Sequence, residues 1–387
     1  MKASPFPFPI FAPSSKSLQF PLQLRLPKPY PHTNTTCNAA STIPPPPPDF
    51  NYKNEILETS IAAIAETHPE LLDLAGDGTL VLIKKSQYGP VPHWRSQFAE
   101  PEAIWIIGAT HVSRDSASHV RRVIRSVRPD NVVVELCRSR AGIMYAPENG
   151  NPNEKLRSSM FSLTGTGFFG AVGRSINLGG QTALALRLLL ATFSSKLSSD
   201  MNRPFGDEFR AARKASEEIG AQLVLGDRPI EITLERAWSS LTWTEKLSLV
   251  SSVLGGITSP ADLSTTALEQ KSNGGDGSLQ LYELLSISYP SLLSPLLHER
   301  DTFMAWSLKR SKAVNGGRNV VGVIGKGHMN GVVYSLVSDQ GNLRFKDLAG
   351  KKTGGGWLAS FGKGLVRDTV VGVVLWLLYQ YFHSYSG

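Results

Sequence analysis

Along residues 54–136 the apolar positions switch between two periods, and each switch marks an element. Ile56, Ile61, Ile64 and Ala65 keep helical spacing, and Gly76-Asp77-Gly78 then turns the chain into an apolar run of strand length, Thr79 to Ile83. A second run, Ile104 to Gly108, precedes Val120, Val123, Ile124 and Val127, the i, i+3, i+4, i+7 stripe of a helix buried on one side. That helix is predicted over Arg114–Val127. Ser113 is its N-cap, and Arg128-Pro129-Asp130 breaks it, because proline has no N–H to continue the ladder. The strand Asn131 to Leu136 follows. A strand, crossover helix and strand of these lengths pair in parallel with a right-handed connection, so their carboxyl ends share one sheet edge. Open α/β sheets hold their ligands at that edge.

The alternation continues further on. A helix is predicted over Asp207–Ile219, a strand over Gln222–Leu225, a turn at Gly226-Asp227-Arg228 and a helix from Glu231 to Trp238. Between them, residues 154–200 are rich in Gly and Ser around a helical core, Ala183 to Leu197, which Arg187 and Lys196 interrupt, so it does not read as a membrane span. Ser272 to Gly277 is a loop, with helical character at Leu279–Leu285 and from Pro295 to Lys309. The run Asn319 to Gly325 is predicted to enter the same sheet. The fold class is therefore α/β, a mixed central sheet flanked by helices.

The two ends differ from this body. Residues 1–50 form a Pro-rich segment that reads as a transit-like leader or a disordered tail: residues 1–48 hold no Asp or Glu, are rich in Pro, Ser and Thr, and end in the run Pro44 to Pro48. The abundance of proline argues against an Arg-rich mitochondrial presequence and for a chloroplast address. At the other end, residues 346–368 read as a linker and residues 369–383 as a hydrophobic C-terminal anchor helix. Val370 to Phe382 is apolar apart from Gln380, Lys363 and Arg367 precede it, and Trp376, Tyr379 and Tyr381 suit a membrane interface. Such a tail resembles the anchor of a mitochondrial or plastid outer-membrane protein. An organelle membrane is the expected location, with the α/β domain spanning 51–345.

Charge and cysteine content remove several classes. The chain has 40 basic and 32 acidic residues, a balance of +8, and Lys2, Lys16, Arg25 and Lys28 precede the first acid, Asp49, so the body carries about +4. That is too mild to expect a nucleic-acid partner, and no basic stripe with interleaved aromatics stands in the sequence. Cys37 and Cys137 allow neither a disulfide framework nor a cysteine metal cluster; Cys137 reads as a small buried hydrophobe. Gly165-Thr166-Gly167-Phe168-Phe169-Gly170 follows no strand and has no acid about 20 positions on, so a dinucleotide is not expected.

The candidate chemistry lies in a repeated shape. I-I-G-A-T-H ends at His111 and V-I-G-K-G-H ends at His328, each an apolar run that stops at a glycine and delivers an imidazole three residues later. A glycine there lets the backbone turn sharply and approach a ligand closely. Glu135 sits in a third apolar run, where a bare carboxylate is costly without a partner. Two imidazoles and one carboxylate are the minimum set for a divalent metal or for acid–base chemistry. His119 and His298 read instead as packing or solvated residues, and Ser113 as a cap.

The strings G-A-T-H-V-S (108–113), V-V-V-E-L-C-R-S-R (132–140), G-D-R-P-I (226–230), T-L-E-R-A-W (233–238), E-R-D-T-F-M-A (299–305) and G-K-G-H (325–328) follow one another in an order that resembles the TraB/PrgY family, related to the Tiki and GumN-like proteins. The likeness covers about residues 78–340. It implies a TraB domain with the fold of erythromycin-esterase and ChaN-like proteins and, through the Tiki branch, divalent-metal-dependent peptidase activity, with Mn, Co or Zn as the ion. On the matching positions, His111 and His328 would be metal ligands and Glu135 a third ligand or the base that activates a water. Arg228 and Arg300 would be catalytic, with Asp227 and Glu299 beside them; for both arginines, a buried ion pair bracing helix ends is the other reading. No H-E-x-x-H helix is present, so the metal stays open. The pheromone-inhibiting branch implies an alternative, a non-catalytic organelle-membrane regulatory or tethering protein that binds peptides or partner proteins.

Overall fold

The structure is a computed structural model that describes residues 43–91, 100–110, 114–145, 206–248, 289–340 and 348. Its centre is a five-stranded sheet of β1 (Leu80–Lys84), β2 (Ala103–Ala109), β3 (Asn131–Val134), β4 (Gln222–Leu225) and β5 (Asn319–Gly325), in the spatial order β1-β2-β5-β3-β4. β1 is an antiparallel edge on β2, whereas β2, β5, β3 and β4 run parallel. The mixed sheet is as expected, and β5 joins it. The strands β2 and β3, expected to be partners, are parallel but separated by β5.

Side-chain alternation along the strands builds two cores. Leu80, Leu82, Trp105, Ile107, Val132, Val134, Val321 and Val323 face one layer, which contains the helices α2 (Arg114–Val127) and α3 (Asp207–Ile219) as well as α1 (Leu57–Thr67). Val81, Ile83, Ile104, Ile106, Val133, Val320 and Ile324 face the other, where Met304 and Leu308 of α5 (Glu299–Arg310) meet Met329, Val332 and Leu336 of α6 (Met329–Val337). The helix α4 (Ile230–Ser240) lies between β4 and α5 in the chain. Burial on both faces is what turns parallel strands into continuous apolar runs. Each such fully buried aliphatic side chain contributes ~1.5–3 kcal/mol.

Three of the differences from expectation have a local reason. β3 stops at Val134, not Leu136, because the Leu136 N–H donates back to the Val134 carbonyl at 2.7 Å in a three-residue turn. The helix expected from Pro295 divides into a π-helical turn, Ser294–His298, and α5. Within that turn Pro295 has no N–H, and the Glu299 N–H reaches back to the Ser294 carbonyl. Finally, Gly108 makes no sharp turn, as it lies inside β2; a side chain there would come 3.0 Å from Met329 Cγ, so its use is close packing against α6.

The helices expected at 183–197, 279–285 and 369–383, and the glycine string at 165–170, lie outside the described residues. Among the described residues no helix is long and apolar enough to cross a membrane.

Candidate functional site

Four parallel strands end at one edge, and each hands a polar residue to it. Beyond β2, Thr110 is clamped to the first turn of α2: its N–H donates to Ser116 Oγ at 2.9 Å and its carbonyl accepts from the same hydroxyl at 3.0 Å. His111 is the next residue in the chain and lies outside the described residues. β3 delivers Glu135, β4 delivers Asp227 and Arg228, and β5 delivers His328 through the single turn Lys326–His328.

Glu135 is 2 % exposed and His328 is 3 % exposed. Glu135 Oε2 accepts from the Gly325 N–H at 2.7 Å, across the β3–β5 boundary. Its other oxygen, Oε1, lies 2.6 Å from Arg300 Nη2 and 3.2 Å from His328 Nε2. Arg300 Nη1 stands 3.3 Å from the same ring nitrogen, and His328 Nδ1 is 2.5 Å from Asp301 Oδ1. Of the three residues expected in one site, Glu135 and His328 thus meet, and His111 lies outside the described residues.

Arg300 is held from below. Its Nη2 donates to Asp227 Oδ2 at 2.8 Å, and its Nη1 to the Leu296 carbonyl of the π turn at 3.2 Å. Arg140 also pairs with Asp227 Oδ2, so one aspartate carries two guanidinium groups. Burial pushes the Asp227 carboxyl up, but Arg300 and then Arg140 more than offset that and hold it below the usual carboxylate range. Asp301 shows the opposite balance. Burial raises its pKa, and His328 offsets only part of the rise.

Arg228 donates its backbone N–H to Asp227 Oδ1 at 2.7 Å, but its side chain belongs to a second group. It is 1 % exposed, and its Nη1 meets Glu299 Oε2 at 2.5 Å, its Nη2 the Pro295 carbonyl at 2.7 Å and its Nε the Thr233 hydroxyl at 3.0 Å. Arg236 shares Glu299 through a second contact, Nη2 to Oε1 at 2.6 Å. Desolvation lowers the Arg228 pKa ahead of the opposing pull of Glu299. Burial raises Glu299, yet Arg236 and Arg228 together bring it below its ordinary value. The bracing reading describes Arg228: its bonds join the start of α4 to the π turn and α5.

The donor set bears on a metal. Bonds of about 2.0–2.2 Å at a tetrahedral angle place two donors roughly 3.4 Å apart, and Glu135 Oε1 and His328 Nε2 stand at 3.2 Å. This pair fits one divalent ion, although Arg300 faces both atoms. Among the described residues no group of three or more His, Cys, Asp or Glu is arranged to hold an ion. His111, the third ligand expected from the sequence, lies outside the described residues.

Two residues of this network were not singled out in the sequence, Arg140 and Asp301. Both stood in the strings that carried the family resemblance, V-V-V-E-L-C-R-S-R and E-R-D-T-F-M-A. Cys137 is buried, as a small apolar side chain would be. His298 ends the π turn, half-buried, with a pKa lowered by burial.

Comparison with known proteins places these strings in a wider context. The profile of the TraB/PrgY/gumN family matches residues 92–341. A TraB domain-containing protein of Mus musculus is 26% identical over 250 residues, covering 61% of this chain and 63% of its own length, and the Homo sapiens protein of the same name gives the same values. An uncharacterized protein of Methanocaldococcus jannaschii is 27% identical over 234 residues, covering 60% of this chain and 53% of its own. The chain thus spans less than two thirds of the length of each of these relatives.

Proposed function

The chain belongs to the TraB/PrgY/gumN family, and on that premise we propose that its sheet edge is the reacting centre of a metal-dependent peptide hydrolase attached to an organelle membrane. One observation carries the reading: two donors from neighbouring parallel strands, Glu135 Oε1 and His328 Nε2, meet at 3.2 Å inside the protein. His328, Glu135 and His111, one residue beyond the clamped Thr110, would hold the ion.

Such an ion, when bound, polarises a carbonyl and brings its water's pKa towards neutrality. The chain's own groups do the rest. The Gly325 N–H fixes one oxygen of Glu135 and leaves the other turned to the centre, as a ligand or as the acceptor of a water proton. Arg300 supplies a positive charge beside it, aimed by Asp227, and steadies negative charge as it develops on a substrate oxygen. Burial excludes bulk water, so each of these charges acts more strongly than at the surface.

Attachment to the membrane is supported by the apolar run Val370 to Phe382 and the basic residues ahead of it. Fluorescent fusions to residues 355–387 and to residues 1–60 distinguish an outer-membrane tail anchor from a chloroplast leader. Activity is tested by incubating the full-length protein with quenched peptides, with and without added Mn²⁺, Co²⁺ or Zn²⁺. Metal-dependent cleavage that Glu135→Gln abolishes is expected; cleavage indifferent to both Glu135→Gln and His328→Ala contradicts the proposal.

One observation favours the non-catalytic alternative. Both oxygens of Glu135 and both ring nitrogens of His328 already face protein groups. In that reading the network stabilises a surface that binds a peptide or partner protein. Retained cellular function in a His111→Ala/His328→Ala double variant would favour it.

A further inference from the structure

Two consecutive residues of α5 address the two nitrogens of one imidazole. Arg300 Nη1 stands 3.3 Å from His328 Nε2, and Asp301 Oδ1 stands 2.5 Å from His328 Nδ1. A carboxylate only accepts, so Asp301 puts a proton on Nδ1. At Nε2, Glu135 Oε1 stands 3.2 Å away and Arg300 Nη1 3.3 Å away, and with the guanidinium donating to both, Nε2 keeps its lone pair. The same arginine donates to Glu135 Oε1, so its fork spans both donor atoms and no proton on Nε2 is needed to separate them.

The seat of Asp301 depends on a glycine. Gly331 lies three residues after His328, on the first turn of α6 and so on the side of that helix below the imidazole. A Cβ at Gly331 would fall within the Asp301 carboxylate, closer to Oδ2 than atoms can approach. The backbone is helical there, so close approach is what calls for glycine. Asp301 itself is 3 % exposed, and a carboxylate so buried requires a donor.

We infer that Asp301, seated by Gly331, is the positioning residue that fixes His328 as the Nδ1–H tautomer and turns its Nε2 lone pair towards Glu135. The inference deepens the hydrolase reading, in which that lone pair is a ligand, because a carboxylate behind a ligating imidazole sets its tautomer and orientation. Neither residue touches the reacting atoms.

The test uses the full-length protein, metal-free, with ¹⁵N-labelled histidine, and reads the two ring-nitrogen shifts of His328 after assignment by His328→Gln. Wild type and the isosteric Asp301→Asn, whose amide oxygen still accepts, should both show the Nδ1–H form. Asp301→Ala and Gly331→Ala should move His328 towards the Nε2–H form. The double variant Asp301→Ala/Gly331→Ala should match Asp301→Ala alone, because the glycine acts through the carboxylate. An unchanged tautomer in Asp301→Ala overturns the inference, as does a further shift from Gly331→Ala when Asp301 is already absent. Metal retention is measured on portions of the same samples after loading with cobalt. A tautomer that moves as stated without altered metal retention upholds the positioning role and counts against the hydrolase reading alone.

Discussion

Arg300 Nη2 lies 2.6 Å from Glu135 Oε1, which ties α5, in the layer on one face of the sheet, to the end of β3. That bond connects the chemistry of the edge to the packing of the fold, since α5 also contributes Met304 and Leu308 to the core. Removing Arg300 leaves Glu135 and Asp227 short of a buried cation. Arg300→Ala should destabilise the protein by about 3–5 kcal/mol, the cost of breaking a buried pair from one side. Urea denaturation of the full-length chain measures it.

Arg228 should separate stability from chemistry. Its side-chain bonds go to Glu299, Pro295 and Thr233, and none reaches Glu135 or His328. Arg228→Ala should therefore lower stability by several kcal/mol, while cobalt affinity per folded molecule stays within about twofold. A tenfold loss of affinity in folded Arg228→Ala would place this arginine in the site.

Acid should weaken the fold through its paired carboxylates. Asp227 and Glu299 are held below their ordinary values by Arg300 with Arg140 and by Arg236 with Arg228. A carboxyl whose folded pKa is depressed contributes fully above its unfolded value, about 3.9 for Asp and 4.3 for Glu. That contribution is lost as pH falls through the lower folded value. Stability measured between pH 6 and pH 2 should fall below about pH 4, and in Asp227→Asn the fall should be shallower.

Ser116 should matter beyond its size. Its hydroxyl bonds both backbone groups of Thr110, the residue before His111. Ser116→Ala should cost about 1 kcal/mol, because a half-buried pair of backbone groups loses its partner. If His111 is a ligand, cobalt affinity should fall with it, whereas unchanged affinity would detach the β2 end from the ion.

Much of the fold was legible because it is written in local periodicity. The stripe Val120, Val123, Ile124 and Val127 marks α2 at its observed limits, and the run Asn319 to Gly325 is β5. Strand order was not legible. That β5 enters between β2 and β3 depends on contacts between segments far apart in the chain, and no local pattern encodes it. The site divides along the same line. Glu135 and His328 stand out as polar residues at the ends of apolar runs, whereas Asp301 and Arg140 sit among other charged residues. Their role appears only once folding sets them against His328 and Asp227. Gly108 lies inside β2 and makes no turn. Its value lies in Met329 packing across it, a neighbour that adjacent residues do not reveal.

The most direct measurement is the metal content of the purified full-length chain after exchange into cobalt, set beside that of His111→Ala, His328→Ala and Glu135→Gln. The account predicts one ion per folded wild-type molecule and its loss in each variant. Equal cobalt content in wild type and the three folded variants would contradict it.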